Sequence, residues 1–379
     1  KPIIYYKTLA DQNFTICWKL LLIILIIGQS AGNLQILQVC NNIYIIKYYI
    51  GILRDYTWKL ICLNRGYLNY LPTRNFSKSI SDNLELSQLG YYLAGLIEGD
   101  GSIIVPTTIR STKGKLNYPS IQICFNTKDY PLCCKIREIL NGGSIQKKVK
   151  KDCYILIIND YKTIILLTKL INGKFRTNKI YRLWLLIDWL NNPPFNYMKK
   201  NSQLLFKDLY LNKKDLDLSS LNNNAWLSGM LDADGNFYIR HSKNKKNLTI
   251  TQYYVRLSQS TLNSWGKSNI KIMQIISEFL HTVVKQNIRK NGTSNYLIRT
   301  SSRLSNDILV NYLTNFPLYS SKYLDYKDWL NVYNLYNKET KVLKNTPSNI
   351  NIIIKSKNNM NNNRILFNWD HLNNFYTLN

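Results

Sequence analysis

Apolar and polar positions along the chain change period from block to block. The most apolar run, Leu20 to Ile27, reads LLLIILII, with Lys19 before it and Gly28-Gln29 after it. It is far shorter than the ~20 residues a membrane-spanning helix needs. Its flanks lack the charged start and small-residue cleavage site of a signal peptide. A second apolar stretch, Ile43 to Leu53, is broken by Lys47 and rich in Tyr. Arg54 to Asp82 then turns polar and punctuated, as a linker does. Residues 1–85 therefore read as a leader and linker ahead of the main fold.

From residue 86 onward the pattern occurs twice. Tyr92 to Gly101 reads YLAGLIEGDG, and Trp226 to Gly235 reads WLSGMLDADG. Period-2 alternation follows each segment: Ser102 to Ile109 and Tyr118 to Phe125 in the first copy, Asn236 to Arg240 and Tyr253 to Gln259 in the second. Two alternating runs around a polar, basic loop predict a β-hairpin. Helix-like stretches come next, Tyr130 to Leu140 and Ile270 to Phe279, and a second hairpin follows each. The later of these carries the turn pair Asn291-Gly292, a strong hairpin signal. Helical segments close the repeats, Thr177 to Leu190 and Ser320 to Tyr336. Each repeat thus predicts helix, two strands, helix, two strands, helix, an α+β organisation. The expected bounds are 86–192 and 223–343. Between them, 193–222 holds Pro193-Pro194 and many Asn and Lys, as a connection does. From Lys344 the chain is Asn-rich and low in complexity, which predicts a mostly disordered tail over 344–379.

Charge gives these repeats a partner class. The 379 residues hold 50 Lys+Arg against 22 Asp+Glu, a formal net charge of +28. Such a surplus points to a polyanion, nucleic acid ahead of an anionic membrane face. Residues 101–190 and 236–343 each contain 16 Lys+Arg and 5 acids. Two equally basic halves suit a partner of approximate twofold symmetry, such as duplex DNA. The 7 cysteines are odd in number and none has C-x-x-C spacing. That argues against a disulfide framework or structural zinc and for a reducing compartment. Only His241, His281 and His371 occur, without H-x-x-x-H or H-E-x-x-H pairing. Histidine-ligated zinc hydrolysis and a histidine-centred nuclease are excluded. Asn occurs 48 times and Ile 46, whereas Ala occurs 5 times and Val 9. This letter usage points to an AT-rich genome, such as a mitochondrial one. The start at Lys1 rather than Met predicts processing from a longer product, or a frame continuing from upstream.

The paired segments carry the chemistry. On a helix, Gly95 and Gly99 share one face, as do Gly229 and Ala233. Faces of such small residues predict that the two helices pack closely and form the interface between repeats. The alternative is that each packs on its own sheet. Asp100 and Asp234 stand at the C-terminal ends, beside the helix-stop residues Gly101 and Gly235. A carboxylate there faces the negative end of the helix dipole, so helix stability does not explain it. If the helices pair, the carboxylates meet, and one pKa rises unless a cation intervenes. Two carboxylates with water and phosphate oxygens suit Mg²⁺, and such a metal supports phosphodiester hydrolysis. Glu98 and Asp232 lie on a different helix face and read either as capping and packing support or as solvated acids.

These two motifs closely resemble the LAGLIDADG signature of homing endonucleases and related intron maturases, in the single-chain, two-repeat form. The resemblance covers roughly Leu89 to Leu343. It implies two pseudo-twofold-related αββαββα units with the motif helices at their interface and saddle-shaped antiparallel sheets over the DNA major groove. The last acid of each motif, Asp100 and Asp234, would bind the divalent metal, with the carbonyls of Gly99 and Ala233 as further ligands. The metal would be Mg²⁺, with Mn²⁺ as an alternative. A lysine near the start of each last helix, Lys179 and Lys322, would organise water and charge at the scissile phosphate. Gln259, and less clearly Thr127, would position solvent.

For DNA reading, the resemblance points to outward strand and hairpin positions: Arg110, Lys113 and Lys115 in the first repeat, and Tyr238, Arg240, Lys243, Lys245, Arg256, Arg289 and Lys290 in the second. The run Lys147, Lys148, Lys150 and Lys151 would touch phosphates. The implied activity is site-specific cleavage of double-stranded DNA at an intron insertion site by a monomer with no stable membrane partner. The alternatives are a maturase that binds its host group I intron RNA, and a folded but inactive relic. The segments Gly28 to Asn33 (GQSAGN) and Gly51 to Thr57 (GILRDYT) look like those ahead of the nuclease core in fungal mitochondrial intron-encoded proteins, which implies a mitochondrial location.

Overall fold

Helix α1, Gln88–Asp100, runs directly into strand β1, Gly101–Ile104. The same join recurs at α5, Trp226–Asp234, and β5, Gly235–Lys243. At each join the glycine N–H closes the helix on the carbonyl four residues back, Ile97 or Leu231. Its backbone is already extended, so helix ends and strand begins without a loop. The computed structural model describes residues 87–149, 151–193, 210–243, 249–263, 265–289, 292–336 and 346–378. All lie within one compact unit spanning Ser77–Asn379. The expectations for residues 1–85 lie outside the described residues.

The first repeat continues with β2, Ser120–Asn126; α2, Tyr130–Leu140; β3, Ser144–Lys148; β4, Cys153–Ile158; α3, Tyr161–Ile171; and α4, Ile180–Asn191. The second continues with β6, Thr249–Ser260; α6, Ile270–Phe279; β7, Lys285–Ile288; β8, Ser294–Arg299; α7, Arg303–Asn315; and α8, Lys322–Asn334. The αββαββα order holds, with the closing helical part made of two helices in each repeat. Local chemistry accounts for the ends. Pro131 occupies the first turn of α2, where its missing N–H costs nothing. Asn141 stops that helix in the left-handed region at φ 50°, a conformation that Asn tolerates. The Asp160 side chain accepts from Thr163 N at 2.9 Å, and Ser302 caps α7 in the same way.

Each repeat builds a four-stranded antiparallel sheet, in the orders β1-β2-β4-β3 and β5-β6-β8-β7. The registers also match: Gly101 pairs with Ile123, and Gly235 with Leu257. One face of each sheet carries the buried set, Ile103, Ile121, Ile123 and Leu156 in the first and Phe237, Val255, Leu257 and Ile298 in the second. Helices cover that face and leave the other open. No described helix is long and apolar enough to cross a membrane.

The tail departs from its expectation. Thr346 caps helix α9, Pro347–Asn358, and short turns follow over Asn361–Asn363 and Asp370–Asn374. Ile353, Met360, Leu372 and Phe375 are buried in the common core. Asn361 donates to Phe237 O at 3.1 Å, and Arg364 pairs with Asp325 at 3.1 Å and with Asp328 at 2.5 Å. Widely spaced apolar anchors and one double ion pair hold the segment, whatever its Asn content. The described end of the connection is also fixed. Asn191 bonds both backbone groups of buried Leu211, and Asp217 pairs with Arg176.

Candidate active site

Glycine sets the distance between α1 and α5. A Cβ on Gly95 would stand 2.0 Å from Trp226 O, and one on Gly229 would stand 2.0 Å from Tyr92 O. One turn further on, a Cβ on Gly99 would lie 2.2 Å from Ala233 Cβ and 3.0 Å from Asp234 Oδ2. Backbone therefore rests on backbone along the shared face. The two motif helices form the interface, and their C-terminal aspartates arrive at one place.

Glu98 and Asp232 are buried and fully engaged, which settles them as support rather than solvated acids. Glu98 accepts from Arg176 N, Thr177 N and Thr177 Oγ1 in its own repeat, and from Trp226 Nε1 of the other at 2.6 Å. Asp232 accepts from Tyr319 N, Ser320 N and Ser320 Oγ, and from Tyr92 Oη of the other repeat at 2.7 Å. Burial raises both pKa values, and the donated hydrogen bonds oppose that rise. Each acid thus ties the turn ahead of α4 or α8 to the helix pair. The opening residues of the motifs, Tyr92 and Trp226, supply the cross-links; sequence reasoning passed over them, although both occupy the first motif position.

Those turns deliver the lysines. Lys179 Nζ donates to Ile97 O, Glu98 O and Gly101 O at 2.8, 2.7 and 2.8 Å. Lys322 Nζ donates to Ala233 O at 2.5 Å and Leu231 O at 3.4 Å. Each ammonium therefore closes the C-terminal carbonyls of its own motif helix, where the dipole favours a cation. Burial lowers both lysine pKa values, and the surrounding acids oppose it. Asp129, from the turn after β2, also accepts from Ser321 N at 2.6 Å. The Lys322 turn is thus held from both repeats.

Asp100 reaches solvent at the mouth of the site, with protein on its other sides. Burial and then the charge of Asp234 push its carboxyl up to about 6, against the pull of Lys322 and Lys179. Asp234 is raised too, chiefly by burial, while Lys322, Gln259 and Lys179 act the other way. Gln259 Nε2 donates directly to Asp234 Oδ2, so Gln259 stands where expected. Thr127 does not match it. By register the counterpart of Gln259 is Phe125, and Thr127 opens a tight turn with its hydroxyl buried and unpartnered. Among the described residues no cluster of three or more His, Cys, Asp or Glu side chains forms. What the site offers a hard cation is two mutually repelling carboxylates and nearby carbonyls. One of these, Ala233 O, already accepts from Lys322 but keeps a second lone pair.

The family model for LAGLIDADG endonuclease matches residues 93–190 and 227–333. The chain belongs to this family. It is 30% identical over 318 residues to the intron-encoded DNA endonuclease aI3 of Saccharomyces cerevisiae, covering 79% of this chain and 76% of that one. It is 28% identical over 283 residues to the cox1 intron-2 37.2 kDa protein of Schizosaccharomyces pombe, covering 72% and 75%. Among solved structures, the meganuclease I-SmaMI bound to uncleaveable DNA matches with TM-score 0.51 and 18% identity, covering 73% of this chain and 99% of that one. The LAGLIDADG homing endonuclease I-LtrWI bound to target DNA matches with TM-score 0.50 and 20% identity, covering 75% and 100%. These last two show the shared fold.

Strand register sorts the remaining candidates of this LAGLIDADG chain by face. Tyr238, Arg240 and Arg256 lie on the open face of the second sheet, with Arg289 just beyond β7. Lys148 lies on the open face of the first. Lys147 does not: it pairs with Tyr154 on the helix side and stands 5.8 Å over that ring. The one apolar residue of the run K-K-V-K-K, Val149, is exposed in the turn after β3 and marks no core face, so both lysines read alike in sequence. Arg110, Lys113, Lys115 and Lys151 are exposed in turns, and Arg110 donates to Gly114 O at 2.7 Å within its own loop. Lys243 sits in β5 by its backbone, and Lys150, Lys245 and Lys290 lie outside the described residues. Sequence reading missed Arg299 and Lys285, which the register places on the open face beside Arg256.

Proposed function

We propose that this LAGLIDADG chain is a site-specific double-strand DNA endonuclease that acts at an intron insertion site. The observation that carries the reading is the pair Asp100 and Asp234, brought together by two glycine-faced helices, each with its own lysine at the helix end. The matching meganuclease structures are bound to DNA, and the +28 charge suits that partner. Asp100 and Asp234 would hold Mg²⁺ or Mn²⁺, with the Gly99 and Ala233 carbonyls as neighbouring donors. When bound, such a metal supplies activation of water and stabilisation of charge on phosphate oxygens. Gln259 fixes the orientation of the Asp234 carboxylate through its amide. Lys179 and Lys322 place positive charge where the phosphate gains negative charge during cleavage. One chain provides both acids, both lysines and both sheets, so a monomer suffices. The AT-rich letter usage and the cox1 intron relative support a mitochondrial, organelle-encoded origin.

The test is incubation of the purified protein with linear DNA spanning the intron-free exon junction, in Mg²⁺ or in EDTA. A single staggered cut that needs the metal is expected, with Asp234→Asn binding but not cutting. Continued cutting by both single Asp→Asn variants would overturn the reading. A maturase role draws on the same net charge and on no side-chain arrangement of its own. It would be established by faster splicing of the host group I intron at low Mg²⁺ with the Asp234→Asn protein.

A further inference from the structure

The two repeats carry equal charge, yet their open sheet faces differ in chemistry. Because the registers coincide, the faces compare position by position. In the second sheet Arg256 pairs with Arg299 across the two inner strands, β6 and β8. The matching pair in the first sheet is Gln122 with Ile157. Lys285 on β7 corresponds to Gln146 on β3, and Tyr238 on β5 corresponds to Ile104 on β1. Arg240 adds a further cation to the second face. Ile155 and Leu297 hold the same apolar position in the two sheets, whereas the first face carries the thiols Cys124 and Cys153 where the second has Ser258 and Asn295, and its one strand cation is Lys148, at the edge.

The arginines of the second face are poised donors. Among the described residues Arg240 and Arg256 are exposed and have no hydrogen-bond or ion-pair partner. The Arg299 guanidinium carbon stands over the Tyr254 ring, 3.6 Å from its centroid, with Nε buried and unpartnered. Tyr254 in turn packs on Tyr238 at 4.9 Å. Stacking holds a guanidinium in one plane and leaves its outer edge free, as bidentate recognition requires. On the first face Ile104 is 45% exposed, and Ile155 and Ile157 are half-buried. No described helix covers them. This face also adjoins the candidate site, because the charge of Asp100 contributes to raising the Cys124 thiol.

We propose that the two sheets read chemically different half-sites. The second takes a half-site containing guanines, engaged by Arg256 and Arg299 of its inner strands. The first takes an A·T-rich half-site, with thymine methyl groups against Ile155 and Ile157 of its inner strand β4. The proposal rests on the DNA-endonuclease reading above. Inner strands face the floor of a groove, where base edges lie, whereas phosphates run along its rims. Guanine offers two major-groove acceptors that match the arginine fork, and thymine offers a methyl group that an isoleucine covers. A cation-poor inner face has little to gain from G·C pairs, and apolar surface gains from methyl groups. Equal net charge still gives both halves their grip on phosphate, through loop lysines and arginines.

The experiment is selection of duplexes from a library randomised across the whole site, with the full chain in EDTA, followed by sequencing. Wild type, Arg256→Ala and Ile157→Ser are compared, with circular dichroism to confirm folding. Wild type should enrich sites whose guanines cluster in one half. Arg256→Ala should relax base choice about tenfold or more at one or two positions of that half alone. Ile157→Ser, which has no methyl group, should relax a T·A preference in the other half alone. Guanines spread evenly over both halves would overturn the proposal. So would an Arg256→Ala protein that binds all selected sites more weakly by the same factor, which marks a phosphate contact. Failure to enrich any duplex would instead overturn the DNA-binding reading and this proposal with it.

Discussion

Gly95 and Gly229 stand in reciprocal places: each presses against a carbonyl of the opposite motif helix, Trp226 O and Tyr92 O, at the same built-Cβ distance of 2.0 Å. A methyl group at either position meets backbone, which cannot rotate aside. Overpacking costs ~1–3 kcal/mol where side chains give way, and more where they do not. Gly95→Ala and Gly229→Ala should each destabilise the protein by about 3 kcal/mol or more. The urea midpoint measures this. A loss below about 1 kcal/mol would mean that the helices slide apart freely.

What was legible in the sequence follows from where local chemistry decides. Helices α2 and α6 were read to the residue because turn chemistry and apolar spacing agree at both ends. The motif helices were legible because small residues recur at four-residue intervals in both copies. The doubled closing helices were not, although only Asn159 and the cap Asp160 separate β4 from α3, because a polar pair so close to the strand reads as a turn rather than as a helix start. The tail was hidden by its Asn content. Its order depends on partners far away in sequence, such as Asp325 for Arg364 and the Tyr92–Tyr319 ring pair for Phe375. At the site, Asp100, Asp234 and Gln259 were legible and the cross-repeat bonds of Trp226 and Tyr92 were not. Those bonds exist only once the two helices are paired.

The lysines permit a sharper test than the acids. Lys179 and Lys322 each close the C-terminal end of a different motif helix, so neither replaces the other. Lys179→Met and Lys322→Met should each lower the cleavage rate by about a hundredfold or more while leaving the dissociation constant for DNA within about threefold. Supercoiled plasmid carrying the target would show nicked circles accumulating ahead of linear product. Linear product formed at the wild-type rate by either variant would remove that lysine from the reaction.

Glu98 and Asp232 predict a coupling between stability and the position of those lysines. Each carboxylate holds the turn that leads to Lys179 or Lys322 and reaches one aromatic of the other repeat. Glu98→Gln turns an NH₂ toward the backbone N–H groups of Arg176 and Thr177 or the Trp226 indole, which only donate, and Asp232→Asn turns one toward the N–H of Tyr319 or Ser320. Breaking such a buried network should cost ~3 kcal/mol or more. Cleavage should fall even at temperatures where both variants remain folded. The double variant should cost less than the sum if the two networks share the helix interface. Full additivity would show that each repeat holds its lysine independently.

The ordered tail predicts that residues 346–378 are part of the second half rather than an appendage. His371 accepts no proton easily, because burial lowers its pKa, and its ring stacks on Tyr323 beside Lys322. His371 Nε2 also lies 3.1 Å from Tyr319 O. A chain ending at Leu335 exposes Tyr92, Tyr319 and Met360's former neighbours to water, and it removes both Arg364 ion pairs. It should melt at least several degrees lower and cleave more slowly, with DNA binding through the open faces less affected. Unchanged melting and cleavage would make the tail dispensable.

Asp100 predicts a dependence of stability on pH and on Mg²⁺. Its carboxyl, pushed up to about 6 by burial and by Asp234, holds a proton in the metal-free folded state that the unfolded chain releases from about pH 4 upward. The folded state thus binds more protons across that window, and stability falls as pH rises through it. A shift of that size is worth ~3 kcal/mol unscreened, and about 1 kcal/mol for a carboxyl that reaches solvent. In EDTA at about pH 7.5, Asp100→Asn should therefore stabilise the protein by about 1 kcal/mol, and at about pH 4 it should do nothing. Mg²⁺ should reverse the order, raising the melting temperature of the wild type and leaving the variant where it was. Calorimetry with and without Mg²⁺ measures both effects. An Asn variant less stable than wild type in EDTA would show that the two carboxylates do not repel, and equal stabilisation of both proteins by Mg²⁺ would place the cation elsewhere.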